Sequence, residues 1–187
     1  MDYSGYSDAE LFGLLREKKS IAEAAFAELY SRYATRIYSY CRTILRNKED
    51  AEDAFQETFA KFYQSAQQER EMTNLPAYLL RIARNTCLNM KRQRRQEIVS
   101  FDEEYMHPTR DDPDREEMLK LIETAVELLP DDLREIFILR EYQGYRYAEI
   151  AQALNISEEA ARVRAYRARK QVQKILAPYI KDFAQHM

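Results

Sequence analysis

"YAEIAQALNISEEAARVRAYRARKQVQKIL", residues 147–176, decides the fold. Its first eight residues put Ile150, Ala151 and Leu154 on one side of a short helix. "NIS" is a turn, and Ser157 is a good N-cap for the helix that follows. At 100° per residue, Ala161, Ala165, Ala168, Val172, Ile175 and Leu176 fall within one arc of about 100°. Small residues near the start of that arc let a neighbouring helix approach closely. Short helix, three-residue turn and longer helix together spell a helix-turn-helix. The opposite arc carries Arg162, Val163, Tyr166, Arg167, Lys170 and Lys174, with Arg164 and Arg169 at its flanks. No acid interrupts the run from Arg162 to Lys174. Such a face can enter a DNA major groove, its first residues at base edges and the rest on phosphates. The plain alternative is a solvated helix surface.

The whole chain is acidic, with a net charge of −3 over 187 residues, so the basic helix is a local concentration. Charge alternates along the chain. Arg81, Arg84, Lys91, Arg92, Arg94 and Arg95 form an earlier acid-free block. Between the two blocks, residues 97–117 hold nine acids against Arg110 and Arg115. That middle stretch includes "HPTRDDPD" and has few apolar residues, which predicts a flexible acidic linker at 98–117. The expected organisation is therefore all-α: a helical module at 1–97, the linker, and a helix-turn-helix module at 118–187.

Three patterns build the first module. "AFAELYSRYATRIYSYCRTILRN" carries a stripe of Phe26, Leu29, Tyr30, Tyr33, Ile37, Tyr40, Cys41 and Ile44. "KEDAEDAFQETFAKFYQ" turns Ala51, Ala54, Phe55, Phe59 and Phe62 inward, leaving Asp50, Asp53, Gln56, Glu57 and Lys61 outward. "NLPAYLLRIARNTCLNMKRQRR" buries Leu79, Leu80, Ala83, Cys87 and Met90. Its other side shows Tyr78, Arg81, Asn85, Asn89 and Arg92. An exposed ring beside arginines and asparagines suits single-stranded nucleic acid: the ring stacks on a base, Asn reads edges and Arg holds phosphates.

Several function classes are disfavoured. With only 3 Gly, a glycine-rich phosphate cradle has no material. His107 and His186 lack partners at metal spacing, so no metal or cofactor is expected, and no small-molecule substrate. Cys41 and Cys87 sit in helical patterns and read as reduced core residues. No apolar run approaches the roughly 20 residues that span a bilayer, and "MDYSGYSDAEL" has no basic start or apolar middle. A cytoplasmic protein without membrane insertion is expected. An enzyme acting on nucleic acid would need a carboxylate cluster, a histidine constellation or a nucleotide cradle, and none is visible. An ordinary repressor or activator would use the second module but leave the "RIARN" helix unexplained.

"EDAEDAFQETFAKFY", "AYLLRIARNTCLNMKRQRR" and "LPDDLREIFILREYQGYRYAEIAQALNISEEAARVRAYRARKQV" together resemble the extracytoplasmic-function (group IV) sigma-70 family. The resemblance implies a sigma-2-like helical bundle and a sigma-4-like helix-turn-helix. It implies an alternative sigma factor, not an enzyme, that binds bacterial core RNA polymerase through the β′ clamp helices and the β flap. Asp53, Gln56 and Glu57 take the family's clamp-docking place. Residues 67–75, with Tyr78, Arg81, Asn85, Asn89 and Arg92, take the place that captures the melted −10 element. Arg162, Val163, Arg164, Tyr166, Arg167 and Lys170 take the −35 reading place on promoter DNA. An anti-sigma factor is a further implied partner. The chain departs from the family in having Tyr78 where Trp is frequent, and Glu159-Ala160 where a Gly-Thr pair often opens the reading helix.

Overall fold

The computed structural model describes residues 3–68, 72–96 and 113–185, with side chains at all of these except 95, 96, 113–117 and 180–185. Most of the expected linker (98–112), residues 69–71 of the expected capture segment, and both histidines lie outside the described residues. The chain divides into two compact units, Met1–Tyr105 and Met106–Met187. All described secondary structure is helical.

In the first unit, α1 (Asp8–Leu14) opens on a reciprocal cap. The Glu10 N–H donates to Ser7 Oγ at 3.3 Å, and the Ser7 N–H donates to Glu10 Oε2 at 2.7 Å. These bonds hold the Glu10 carboxyl below its ordinary range. The helix buries Leu11 and Phe12. Helix α2 (Lys19–Leu45) ends at Arg46, whose φ of 57° places it in the left-handed region that stops helices. Asn47 then caps α3 (Lys48–Ala66), accepting from the Asp50 N–H at 2.9 Å. Asn74 does the same for α4 (Leu75–Gln96), accepting from the Ala77 N–H at 3.2 Å, with Pro76 in the first turn.

Helices α2, α3 and α4 pack pairwise, and α1 lies on α2. Leu29, Ile37, Tyr40, Cys41, Ala54, Phe62, Leu79, Leu80 and Cys87 form their shared core. Each large apolar side chain so buried contributes about 1.5–3 kcal/mol. Both cysteines are buried and free. Tyr30 and Asp50 depart from the periodicity, as do Glu57 and Tyr78, described below. Tyr30 is exposed, because it sits at the rim of the α2–α3 seam, its ring 4.8 Å from that of Phe59. Asp50 is partly buried rather than outward, as described below.

The N-terminal residues are clasped onto α2. Arg32 donates to Glu28 Oε1 (2.8 Å), Asp8 Oδ1 (3.1 Å) and the Ser4 carbonyl (3.0 Å). The Tyr33 hydroxyl donates to Asp8 Oδ2. Burial pushes the Tyr33 phenol well up, and the bond to Asp8 pushes it further.

In the second unit, α5 (Pro113–Glu127) begins ahead of the module start expected at residue 118, so residues 113–117 are helical rather than linker. A proline at the first helical position explains the early start: its fixed φ fits there and its missing N–H costs nothing. Helix α6 (Asp131–Phe137) follows Pro130, with Asp131 and Asp132 in its first turn. Arg134 staples the end of α5, donating to the carbonyls of Val126 (3.3 Å), Glu127 and Leu129 (2.7 Å). A π-helical turn, Ile138–Tyr142, continues α6, closed by the Gln143 N–H donating to the Ile138 carbonyl at 3.1 Å. Gly144, at φ 66°, reverses the chain and lets Tyr145 plunge into the core. Helices α7 (Tyr147–Leu154) and α8 (Glu158–Gln185) complete the unit. Ala168, Val172 and Leu176 of α8 join Ala125, Val126, Leu129, Phe137 and Ile138 in one cluster.

Candidate nucleic-acid interface

The turn between α7 and α8 spans three residues, as the sequence predicts. Asn155 takes the left-handed conformation (φ 55°), and its N–H donates to the Ala151 carbonyl to end α7. The Ser157 Oγ accepts from the Ala160 N–H at 3.0 Å to start α8. Ala161, Ala165 and Ala168 are essentially fully buried, so α8 sits close to α6 and α7. That contact orients the opposite side of α8 outward. Tyr166 is 57% and Val163 41% exposed, and Arg162, Arg167, Lys170 and Lys174 are exposed with them. Arg164 is partly buried at the flank. Tyr166, Arg167, Lys170 and Lys174 line a shallow open depression. The surface therefore presents cations and one aromatic ring along one helical ridge, which suits a polyanion.

The second basic surface is on α4. Arg81, Asn85, Asn89 and Arg92 are exposed and share one side of the helix. Tyr78 does not stand exposed beside them as expected; it is 9% exposed. Its ring meets Phe62 at 6.4 Å between centroids, and the Arg81 guanidinium covers it at 5.2 Å. The physical reason is that α4 is wedged between α2 and α3, so its buried arc is wider than a one-sided helix would need. Leu75 and Ala77 are buried by the same wedge.

The third surface is on α3. Asp53 and Gln56 are exposed, and Glu57 is partly buried against Lys61 at 2.5 Å. Lys61 also donates to Thr86 Oγ1 at 3.4 Å, which ties α3 to α4. Asp50, one turn earlier, accepts from Arg94 Nη2 at 2.7 Å. Burial raises the Asp50 carboxyl, and the Arg94 charge opposes the rise.

Sequence reasoning missed one element of the interface. Tyr147 reads only as a helix start, yet its ring lies under the guanidiniums of Arg140 (4.6 Å) and Arg162 (4.9 Å). No spacing rule within one helix reaches across Gly144 to join these residues. Among the described residues, no cluster of His, Cys, Asp and Glu could hold a metal ion, and no helix is long and apolar enough to cross a membrane.

A helix-turn-helix with a cationic outer ridge, and a separate bundle carrying a second basic face, define a two-module nucleic-acid-binding protein. Comparison with known proteins narrows the class. Residues 29–97 match Sigma-70 region 2, and residues 119–172 match Sigma-70, region 4. The chain is 30% identical to the ECF RNA polymerase sigma factor SigE of Mycolicibacterium smegmatis, over 88% of this chain and 66% of that protein. It is 31% identical to the ECF RNA polymerase sigma-E factor of Haemophilus influenzae, over 82% of this chain and 88% of that protein. Its fold resembles that of the sigma factor RpoE from Bartonella quintana, solved with the anti-sigma factor NepR (TM-score 0.68, 24% identity, 81% of this chain and 96% of that one). The chain belongs to the extracytoplasmic-function sigma-70 family. It is accordingly a transcription initiation factor and not an enzyme.

Proposed function

We propose that the chain directs initiation by holding one promoter at two places. The α8 ridge (Arg162, Val163, Arg164, Tyr166, Arg167 and Lys170) reads duplex at −35. The α4 face (Arg81, Asn85, Asn89 and Arg92) captures the melted −10 element from the non-template strand. With Tyr78 covered, its share in capture is to hold the Arg81 guanidinium over its ring rather than to stack on a base. Asp53, Gln56 and Glu57 dock on the β′ clamp helices, and the second unit meets the β flap. The acidic residues of 98–112 act as a tether between the two grips. Binding energy for the open strand drives melting, so no nucleotide hydrolysis is required. The protein works in the cytoplasm, and a protein regulator of the anti-sigma type is a further partner.

The observation that carries this reading is the exposure of Arg162, Tyr166 and Arg167 along one ridge while the alanines opposite are buried. Both basic faces belong to one chain, which favours it over a repressor that binds duplex alone. A gel shift separates the two. The free chain should retard promoter duplex weakly, and chain plus core polymerase should retard it strongly. Tight binding by the free chain, unchanged by core polymerase, would establish the repressor reading instead.

A further inference from the structure

Among the arginines of the α8 ridge, Arg162 is held differently from the others. Its Nη2 pairs with Glu158 Oε1 one turn back, and its guanidinium carbon lies 4.9 Å from the Tyr147 ring centroid. Arg167 has no such ring or carboxylate beside it among the described residues. The Tyr147 ring is itself fixed. It is the first residue of α7 and partly buried, and the Arg140 guanidinium lies 4.6 Å from its centroid. Arg140 is anchored in turn, donating from Nη1 to the Tyr145 carbonyl at 2.9 Å. A chain of contacts thus runs from the turn around Gly144, through Arg140 and Tyr147, to the first exposed arginine of α8.

The chemistry of the guanidinium gives this chain a use. A ring engages its flat face, while its N–H donors point outward from its edges. Held over the Tyr147 ring, the Arg162 guanidinium keeps N–H edges able to make a bidentate pair with guanine O6 and N7. It also removes rotamer freedom that an unsupported arginine would lose on binding. Glu158 acts oppositely, since it occupies one of those donors and must share or release it. We infer that Tyr147 is a positioning residue for Arg162, and that the pair makes Arg162 the ridge arginine that discriminates bases rather than merely holding phosphate. This rests on the reading of α8 as the duplex-binding helix.

The test uses the full chain with bacterial core RNA polymerase and a promoter selected by the unaltered chain. Initiation is compared on that promoter and on templates with single base-pair changes at −35. Tyr147→Leu should lower discrimination at one base pair by about two- to fivefold, the range expected for an exposed cation–π contact. Discrimination at the other positions should hold, and Tyr147→Phe should behave like the unaltered chain. In an Arg162→Lys background, Tyr147→Leu should have no further effect. A merely structural Tyr147 would cost the same in both backgrounds and at every position, and that result overturns the inference. So does full discrimination by Tyr147→Leu, or loss of it by Tyr147→Phe.

Should Tyr147→Leu fail to fold, NMR of the unaltered chain decides the matter. The Arg162 δ-protons should be shifted upfield by the ring, and shifts at ordinary arginine values overturn the pairing. Failure of the unaltered chain to discriminate any −35 change overturns the duplex reading and this inference with it. Discrimination by the unaltered chain, retained in Tyr147→Leu, overturns this inference alone.

Discussion

Arg94 of α4 donates from Nη2 to Asp50 Oδ1 of α3 at 2.7 Å, joining a basic block and an acidic helix that the sequence presents as separate surfaces. The pair is lopsided: Arg94 is the more exposed partner, while Asp50 is mostly covered. The second carboxylate oxygen, Oδ2, is buried without a hydrogen bond among the described residues. Asp50 therefore titrates above its ordinary range in the folded protein, chiefly because burial disfavours its charge.

The sign of the pH dependence follows. A carboxyl whose folded pKa is raised binds its proton more tightly when folded, so folding gains stability as pH falls from the folded pKa to the ordinary carboxylate range, and the gain is constant below it. Asp50→Asn removes this contribution. Urea melts of both proteins from neutral to mildly acidic pH should show the unaltered chain gaining on the variant as pH falls. A difference that does not change with pH would show that Asp50 is not desolvated as described.

Leu11 of α1 is fully buried against the bundle. Leu11→Ala should destabilise the first unit by about 2–5 kcal/mol, the range for a large-to-small core change. Denaturant unfolding measures it. A loss under about 1 kcal/mol would mean that α1 is not packed into the core, since surface changes stay near that scale.

Gly144 sits at φ 66°, and a Cβ added there meets nothing within 4 Å. The cost of Gly144→Ala is thus conformational alone, about 1–2 kcal/mol. The melting temperature of the second unit should fall accordingly, with no loss of core packing by near-ultraviolet circular dichroism.

Asp53 is exposed on α3, and the described structure gives it no ion pair to lose. Asp53→Lys should leave stability within about 0.5 kcal/mol, as for surface changes generally. Its affinity for core polymerase should fall, measured by competition with a labelled unaltered chain. Unchanged affinity would move the docking surface off this side of α3.

Legibility from sequence followed how local the determining physics was. The α7–turn–α8 unit was legible because its signals are local: the apolar arc of alanines, Asn155 at the stop and Ser157 at the start. Helix α1 has a local signal too, the Ser7–Glu10 capping box in "SDAE", but its seven residues are too few to display an apolar period. The outward ridge of α8 was readable because only one side of that helix is covered. Tyr78 was misread for the converse reason, since two neighbours enclose α4 and bury a residue that a single apolar stripe leaves outside. The Arg140–Tyr147–Arg162 contacts and the π turn depend on tertiary placement around Gly144, which no periodicity encodes.

The central claim is tested most directly by reconstituted transcription on genomic fragments, with transcript 5′ ends mapped for core polymerase alone, with the chain, and with Arg167→Glu. The account predicts specific start sites only when the chain is present. It also predicts their clear reduction with Arg167→Glu wherever initiation depends on −35, because a cation on the phosphate backbone is replaced by an anion that the backbone repels. Start sites indistinguishable from those of core polymerase alone, or undiminished by Arg167→Glu at −35-dependent promoters, would contradict it.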